Sequence, residues 1–227
     1  MHSGRSARRG LHLCGVRDGS VGGRDVMRTG DATLRPATVS DALCISVLGM
    51  QVFLDNYATD GIRPSLAREV LAQFSLEATG ALLTAPHIGC IVAERDRHLI
   101  GFALWSLDTP HALVATGRPA KLERLYVQEP FVGSGLGSSL LTATERGAAA
   151  KGADVLWLTT WVGNRRALDF YPRRGYADFG ATTYALEHEK HENRVFARSL
   201  VDAGRACGAA NIADSISVAR PGPESRP

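Results

Sequence analysis

Apolar and polar positions alternate along this chain in a way that predicts strands and helices in mixed order. Thr33 to Pro36 reads as a first strand, and Ser40 with Asp41 as the cap of a helix patterned by Leu43, Ile45, Leu48, Val52 and Phe53. A second helix is predicted from about Ser65 to Phe74. Between them Asp55, Asn56, Tyr57 and Asp60 form a polar, partly aromatic connection, which is either a solvated loop or a lip over a binding site. Gly89 to Arg95 and Leu99 to Leu107 alternate around Asp96-Arg97-His98, the pattern of a hairpin. Lys121 to Val127 follows as a strand, Ser138 to Ala150 as a helix and Val155 to Trp161 as a buried strand. That order is a crossover unit in a parallel region. Asn164 can then cap a short helix with Ala167, Leu168, Phe170 and Tyr171 on its packing side. Pro172 ends that helix, and Gly175-Tyr176 leads toward a strand at Tyr184 to Glu187.

The flanks lack such patterning. Residues 1 to 30 mix Gly, Ser and Arg and are expected to be a disordered extension; residues 31 to 200 form one domain, and residues 201 to 227 a flexible tail. Met27 is a candidate start, because the ordered pattern begins just after it. The net charge of +3 is concentrated in the extension, which carries +4 and leaves −1 for the rest. A nucleic-acid binder would carry its positive charge on the folded part, so that class loses support. Leu11 to Val16 is too short and interrupted for the apolar core of an export signal, and a cytoplasmic protein that binds no membrane is expected. Cys14, Cys44, Cys90 and Cys207 have no spacing suited to zinc or a redox couple, and His87, His98 and His111 have no ligand spacing, so no metal is expected.

The chemistry gathers between the strand ending at Val127 and the helix after Gly137. Gly133, Gly135 and Gly137 permit positive φ and remove side chains that would hold a ligand away from the backbone. Their N–H groups, with those of the helix start, make an anion site. No Lys-Ser or Lys-Thr follows, as a triphosphate loop requires, and the glycine spacing is not that of a dinucleotide fingerprint.

This loop resembles the cofactor motif of the GNAT superfamily of N-acetyltransferases, and Asn164, Ala167, Phe170, Tyr171, Gly175 and Tyr176 match its second motif. The finer wording of Leu122 to Val127, of Leu156 to Trp161 and of Asn193 to Leu200 is similar to PaiA-type spermidine/spermine acetyltransferases. The resemblance spans about residues 33 to 200. It implies an α/β fold whose central mixed, twisted sheet of six or seven strands is flanked by helices, with the cofactor between splayed parallel strands. It also implies that acetyl-coenzyme A is held by Leu125, Tyr126, Val127, Val132, Gly133, Ser134, Gly135, Leu136, Gly137, Ser138, Asn164 and Tyr171. Val132 departs from the Gln or Arg usual at its position, and Pro172 is a second departure.

The implied reaction is direct acetyl transfer to a primary amine of a small molecule, a polyamine first, with a protein N-terminus or a xenobiotic amine as the alternative acceptor. A coenzyme A-binding regulator with weak catalysis is a further alternative, and a homodimer is compatible with the resemblance. Tyr171 is the residue matched to protonating the departing thiolate; without the motif it reads as a core aromatic. Glu123 is the candidate proton acceptor, since strand parity groups it with Leu125 and Val127. A glutamate salt-bridged to Lys121 or Arg124 is the equal alternative.

Overall fold

The computed structural model of the chain describes residues 27–29, 31–114, 117–186 and 189–201. The expectations for residues 1–26 and 202–227 lie outside the described residues. Strands are β1 (Met27–Thr29), β2 (Ala32–Pro36), β3 (Ile88–Arg95), β4 (His98–Leu107), β5 (Pro119–Val127), β6 (Val155–Trp161), β7 (Ala177–Leu186) and β8 (Glu189–Ser199). Helices are α1 (Ala42–Tyr57), α2 (Pro64–Gln73), α3 (Leu76–Thr84), α4 (Leu136–Ala150) and α5 (Arg165–Phe170). The strands form one mixed sheet in the order β1-β2-β3-β4-β5-β6-β8-β7. These eight described strands exceed the expected six or seven, because β1 pairs with β2 inside the stretch expected to lack structure.

Alternation along β3 and β4 gives each face of the sheet its own core. Ala103, Trp105 and Leu122 meet Leu136, Leu140 and Leu141 of α4 on one face. Val92, Phe102 and Leu104 meet Ile45, Leu48 and Val52 of α1 on the other. Each such large side chain contributes about 1.5–3 kcal/mol when fully buried. The indole of Trp105 packs against Gly89 of β3, where a side chain would come within 2.1 Å of Cζ2.

Several local details differ from the sequence reading. Asp41 does not cap α1 with a side-chain bond; its carboxylate instead accepts from the N–H and hydroxyl of Thr38 at 2.7 and 3.0 Å. It also receives two bonds from Arg35, at 2.7 and 2.8 Å. Asp55, Asn56 and Tyr57 are the last turn of α1 and not a connection, because helical hydrogen bonding runs on to Ala58. The strand predicted at Tyr184 starts earlier, at Ala177, and pairs with β8 over most of its length.

All pairings from β1 to β5 are antiparallel, as are those among β6, β8 and β7. Among the described residues the single parallel contact, β5 with β6, extends only from Pro119↔Val155 to Lys121↔Trp157. Beyond it Leu122 to Val127 and Leu158 to Trp161 diverge. The sheet is therefore split at the end of β5, where the glycine loop begins.

Candidate active site

The loop after β5 starts with a 3-10 turn, Glu129–Phe131, and ends at α4. Gly133 and Gly135 take φ of 83° and 86°, values that L side chains rarely adopt. A Cβ built on either would meet nothing within 4 Å, so the loop is open above these residues. Gly135 is also the N-cap of α4, and as a glycine it has no side chain to satisfy the first N–H groups of the helix. Those N–H groups and the helix dipole therefore face an open space, as an anion site requires.

A cavity of about 520 Å³ lies between this loop, the splayed end of β5 and α5. It brings together Leu125, Tyr126, Val127, Val132, Gly133, Gly135, Gly137, Ser138, Asn164 and Tyr171. Ser134 and Leu136 are not in its lining. The Ser134 hydroxyl turns back to donate to the Phe131 carbonyl at 2.7 Å, and the Leu136 side chain is buried in the core under α4. Such a cradle, with an open anion site and an apolar strand edge, fits a long phosphate-bearing thioester.

Asn164 caps α5: its Oδ1 accepts from Ala167 N–H at 3.0 Å, while Nδ2 donates to Oδ1 of Asn56 at 3.5 Å. The cap ties the end of α1 to the start of α5. α5 stops at Phe170, and Pro172 opens a separate 3-10 turn, Pro172–Arg174. The Tyr171 ring lies among Phe170, Tyr176 and Phe196, with centroids 5.2, 5.6 and 6.1 Å away. Only 8% of the residue is exposed. Burial raises its pKa well above the ordinary phenol value, so the hydroxyl stays protonated.

Glu123 is outside the cavity lining. On β5 the register shifts here: Leu122 pairs with Trp105 and Arg124 with Leu104, which leaves Glu123 as the extra residue of a bulge. Parity therefore breaks at this point. Glu123 does not share a face with Leu125 and Val127, which pack toward α4; it faces the α1 side with Ser106 and Lys121. Its Oε1 accepts from the Ser106 hydroxyl at 2.7 Å, and Oε2 meets Lys121 Nζ at 2.7 Å. Lys121 in turn lies 5.5 Å over the Trp157 ring. Cys90 is no nucleophile, since burial pushes its thiol up to about 12.

Sequence reasoning missed Arg166, Arg173 and Arg174, which also line the cavity. The signal is two Arg pairs, 165–166 and 173–174, inside the second motif. Among the described residues no group of three or more His, Cys, Asp or Glu could hold a metal, and no helix is long and apolar enough to cross a membrane.

A profile of the Acetyltransferase (GNAT) family matches residues 56–176, from the end of α1 through the loop to Tyr176. The chain belongs to the GNAT family. As a member it is an acyltransferase, an acetyl-coenzyme A-dependent N-acetyltransferase. An uncharacterized N-acetyltransferase of Mycobacterium tuberculosis is 27% identical over 143 residues, 61% of this chain and 87% of that protein. Among solved structures, the PaiA N-acetyltransferase of Thermoplasma acidophilum in complex with coenzyme A has a TM-score of 0.56 at 18% identity, covering 72% of this chain and 97% of that one. The acetyltransferase YncA of Salmonella typhimurium, with acetyl-coenzyme A, has a TM-score of 0.55 at 17% identity, covering 80% and 100%. These likenesses carry the fold.

Proposed function

We infer that this GNAT protein moves the acetyl group of acetyl-coenzyme A to a primary amine of a small molecule, with a polyamine such as spermidine the first acceptor to test. The observation that carries the transfer is the split between β5 and β6, which opens beside the glycine loop and is flanked by Tyr171. Backbone N–H groups of Gly133 to Ser138 would hold the phosphates, and the thioester supplies an activated acetyl group.

The chain's own residues have three tasks. An alkylamine with pKa near 10 is protonated at neutral pH, and Glu123 is the acceptor for its proton, direct or through water. Lys121 occupies one of its oxygens, so the substrate ammonium enters by exchanging with Lys121. Backbone N–H groups where β5 diverges from β6 offer a donor to the developing oxyanion, an interaction that typically contributes about 3 kcal/mol. Tyr171 gives its proton or a hydrogen bond to the leaving thiolate.

The polyamine choice rests on the PaiA-like segments and on charge. Glu129 is paired with Arg166 on the glycine-loop side, and Glu123 is paired with Lys121, so attraction of a polycation falls to the exposed Asp55 and Asp60. Free thiol release from acetyl-coenzyme A, followed with spermidine, a monoamine of similar length and a short peptide, tests this. Spermidine should be preferred, and its KM should rise with salt and on neutralising Asp55 or Asp60. A clear win for the peptide would replace the polyamine by a protein N-terminus and leave the transferase in place.

A further inference from the structure

We propose that Arg166 is a phosphate ligand of the cosubstrate, supplying from α5 the cation that the glycine loop lacks at Val132, and that Glu129 holds it in place until the cosubstrate arrives. This rests on the coenzyme A reading above and assigns it a residue and a switch.

Arg166 lines the cavity beside Val132, Gly133 and Gly135. Its guanidinium makes a two-pronged bond to Glu129, Nη1 donating to Oε2 at 2.8 Å and Nη2 to Oε1 at 2.9 Å. Glu129 belongs to the turn between β5 and the glycine loop, so the pair reaches from α5 across to the loop side of the cleft. Val132, 37% exposed and apolar, offers no side-chain donor at that rim. Arg174 lines the same cavity but lies over Phe170 of the neighbouring α5, 5.3 Å from its centroid. Arg166 both lines the cavity and reaches the turn before the loop through its pair with Glu129.

Chemistry favours an exchange of partners. The side chains of Arg166 and Glu129 are 63% and 64% exposed, and a pair so open to water and salt is weakly held. The guanidinium fork fits a phosphate in the same two-pronged way as it fits a carboxylate. A phosphate seated on the loop gains the helix start and Arg166 together, whereas Glu129 offers Arg166 alone. Once released, Glu129 is a negative charge near the bound phosphates, so it opposes binding in both states.

Calorimetry with coenzyme A, dephospho-coenzyme A and pantetheine on wild type, Arg166→Gln, Glu129→Gln and the double variant tests the assignment. Both positions are exposed, and melting temperatures should match wild type. Arg166→Gln should weaken coenzyme A about ten- to a hundredfold, the value of one charge-assisted contact, and leave pantetheine unchanged. Equal losses for coenzyme A and its dephospho form place the contact on the pyrophosphate; a loss confined to coenzyme A places it on the 3′-phosphate. Glu129→Gln should tighten coenzyme A, and this gain should shrink in the Arg166→Gln background, where only the charge repulsion is left to relieve. Coenzyme A affinity unchanged in Arg166→Gln, or pantetheine weakened equally, overturns the assignment while the cosubstrate reading stands. A wild-type protein that binds no coenzyme A overturns both.

Discussion

Phe170 Cζ lies 3.9 Å from where a side chain on Gly137 would begin, so the helix leading to Tyr171 rests on the first turn of the helix that closes the glycine loop. One contact thus sets the spacing between the anion site and the tyrosine. A methyl at Gly137 meets only Phe170, at ordinary contact distance, and Ala is favoured over Gly in helices by up to about 1 kcal/mol. Gly137→Ala should keep or raise the melting temperature while weakening coenzyme A, because the methyl enters the cavity. Calorimetry showing unchanged affinity in the folded variant would exclude the glycine loop as the coenzyme A site.

Tyr171→Phe preserves the stack with Phe196 and deletes the proton. Acetyl transfer should fall about ten- to a thousandfold, the range for losing one acid or hydrogen-bond donor, with coenzyme A affinity kept. Because burial raises the Tyr171 pKa, the wild-type rate should show no decline from this group as pH climbs through the ordinary phenol range. A rate equal to wild type across pH would assign the ring to packing alone.

Glu123→Gln keeps a partner for Ser106 but cannot take a proton. Turnover at neutral pH should drop about a hundredfold or more if the carboxylate is the base. Lys121→Met removes the competing ammonium, and the KM for the amine should fall. Steady-state kinetics on both variants decide the point; an unaffected rate in Glu123→Gln leaves the glutamate as the anchor of Lys121.

Acid sensitivity should reside partly in Asp41. Its hydrogen bonds from Arg35, together with those from Thr38, hold its pKa at about 2. A depressed folded-state value stabilises the fold above the unfolded value of about 4, and that contribution is lost as pH falls from about 4 toward 2. Asp41→Asn should lower stability at neutral pH and flatten the stability profile across that window, as read by denaturant unfolding at each pH. An unchanged profile would place the acid response elsewhere.

Segments with strong local signals were legible. β3, β4, β6 and α4 follow from alternation or helical period, and the Asn164 cap with the Pro172 stop follows from turn chemistry. No sequence pattern marks the short α3, and the end of α1 reads as a loop, whereas polar Asp55 and Asn56 complete a helix because Val52 and Phe53 are packed. The bulge was invisible because Leu-Glu-Arg-Leu alternates as well with it as without it; only the β4 partner shows that Glu123 is the extra residue. The loop glycines were found from spacing. Arg166 was not, because its role depends on a cleft between segments more than thirty residues apart in sequence.

The three-residue junction between β5 and β6 makes the sheet two leaves on a short spine. Asp154 fastens the spine at its base, donating its N–H to the Arg118 carbonyl at 2.9 Å and accepting the Arg118 N–H on Oδ2 at 3.0 Å. Each leaf is stiffened by antiparallel ladders, so a change of angle between them concentrates in the spine. A molecule lying in the gap touches both leaves and acts as a clasp, replacing the rungs that the diverging strands omit. Amide exchange should then slow on cosubstrate binding at Leu125 to Val127 and Leu158 to Trp161 together, although these segments share no hydrogen bonds in the sheet.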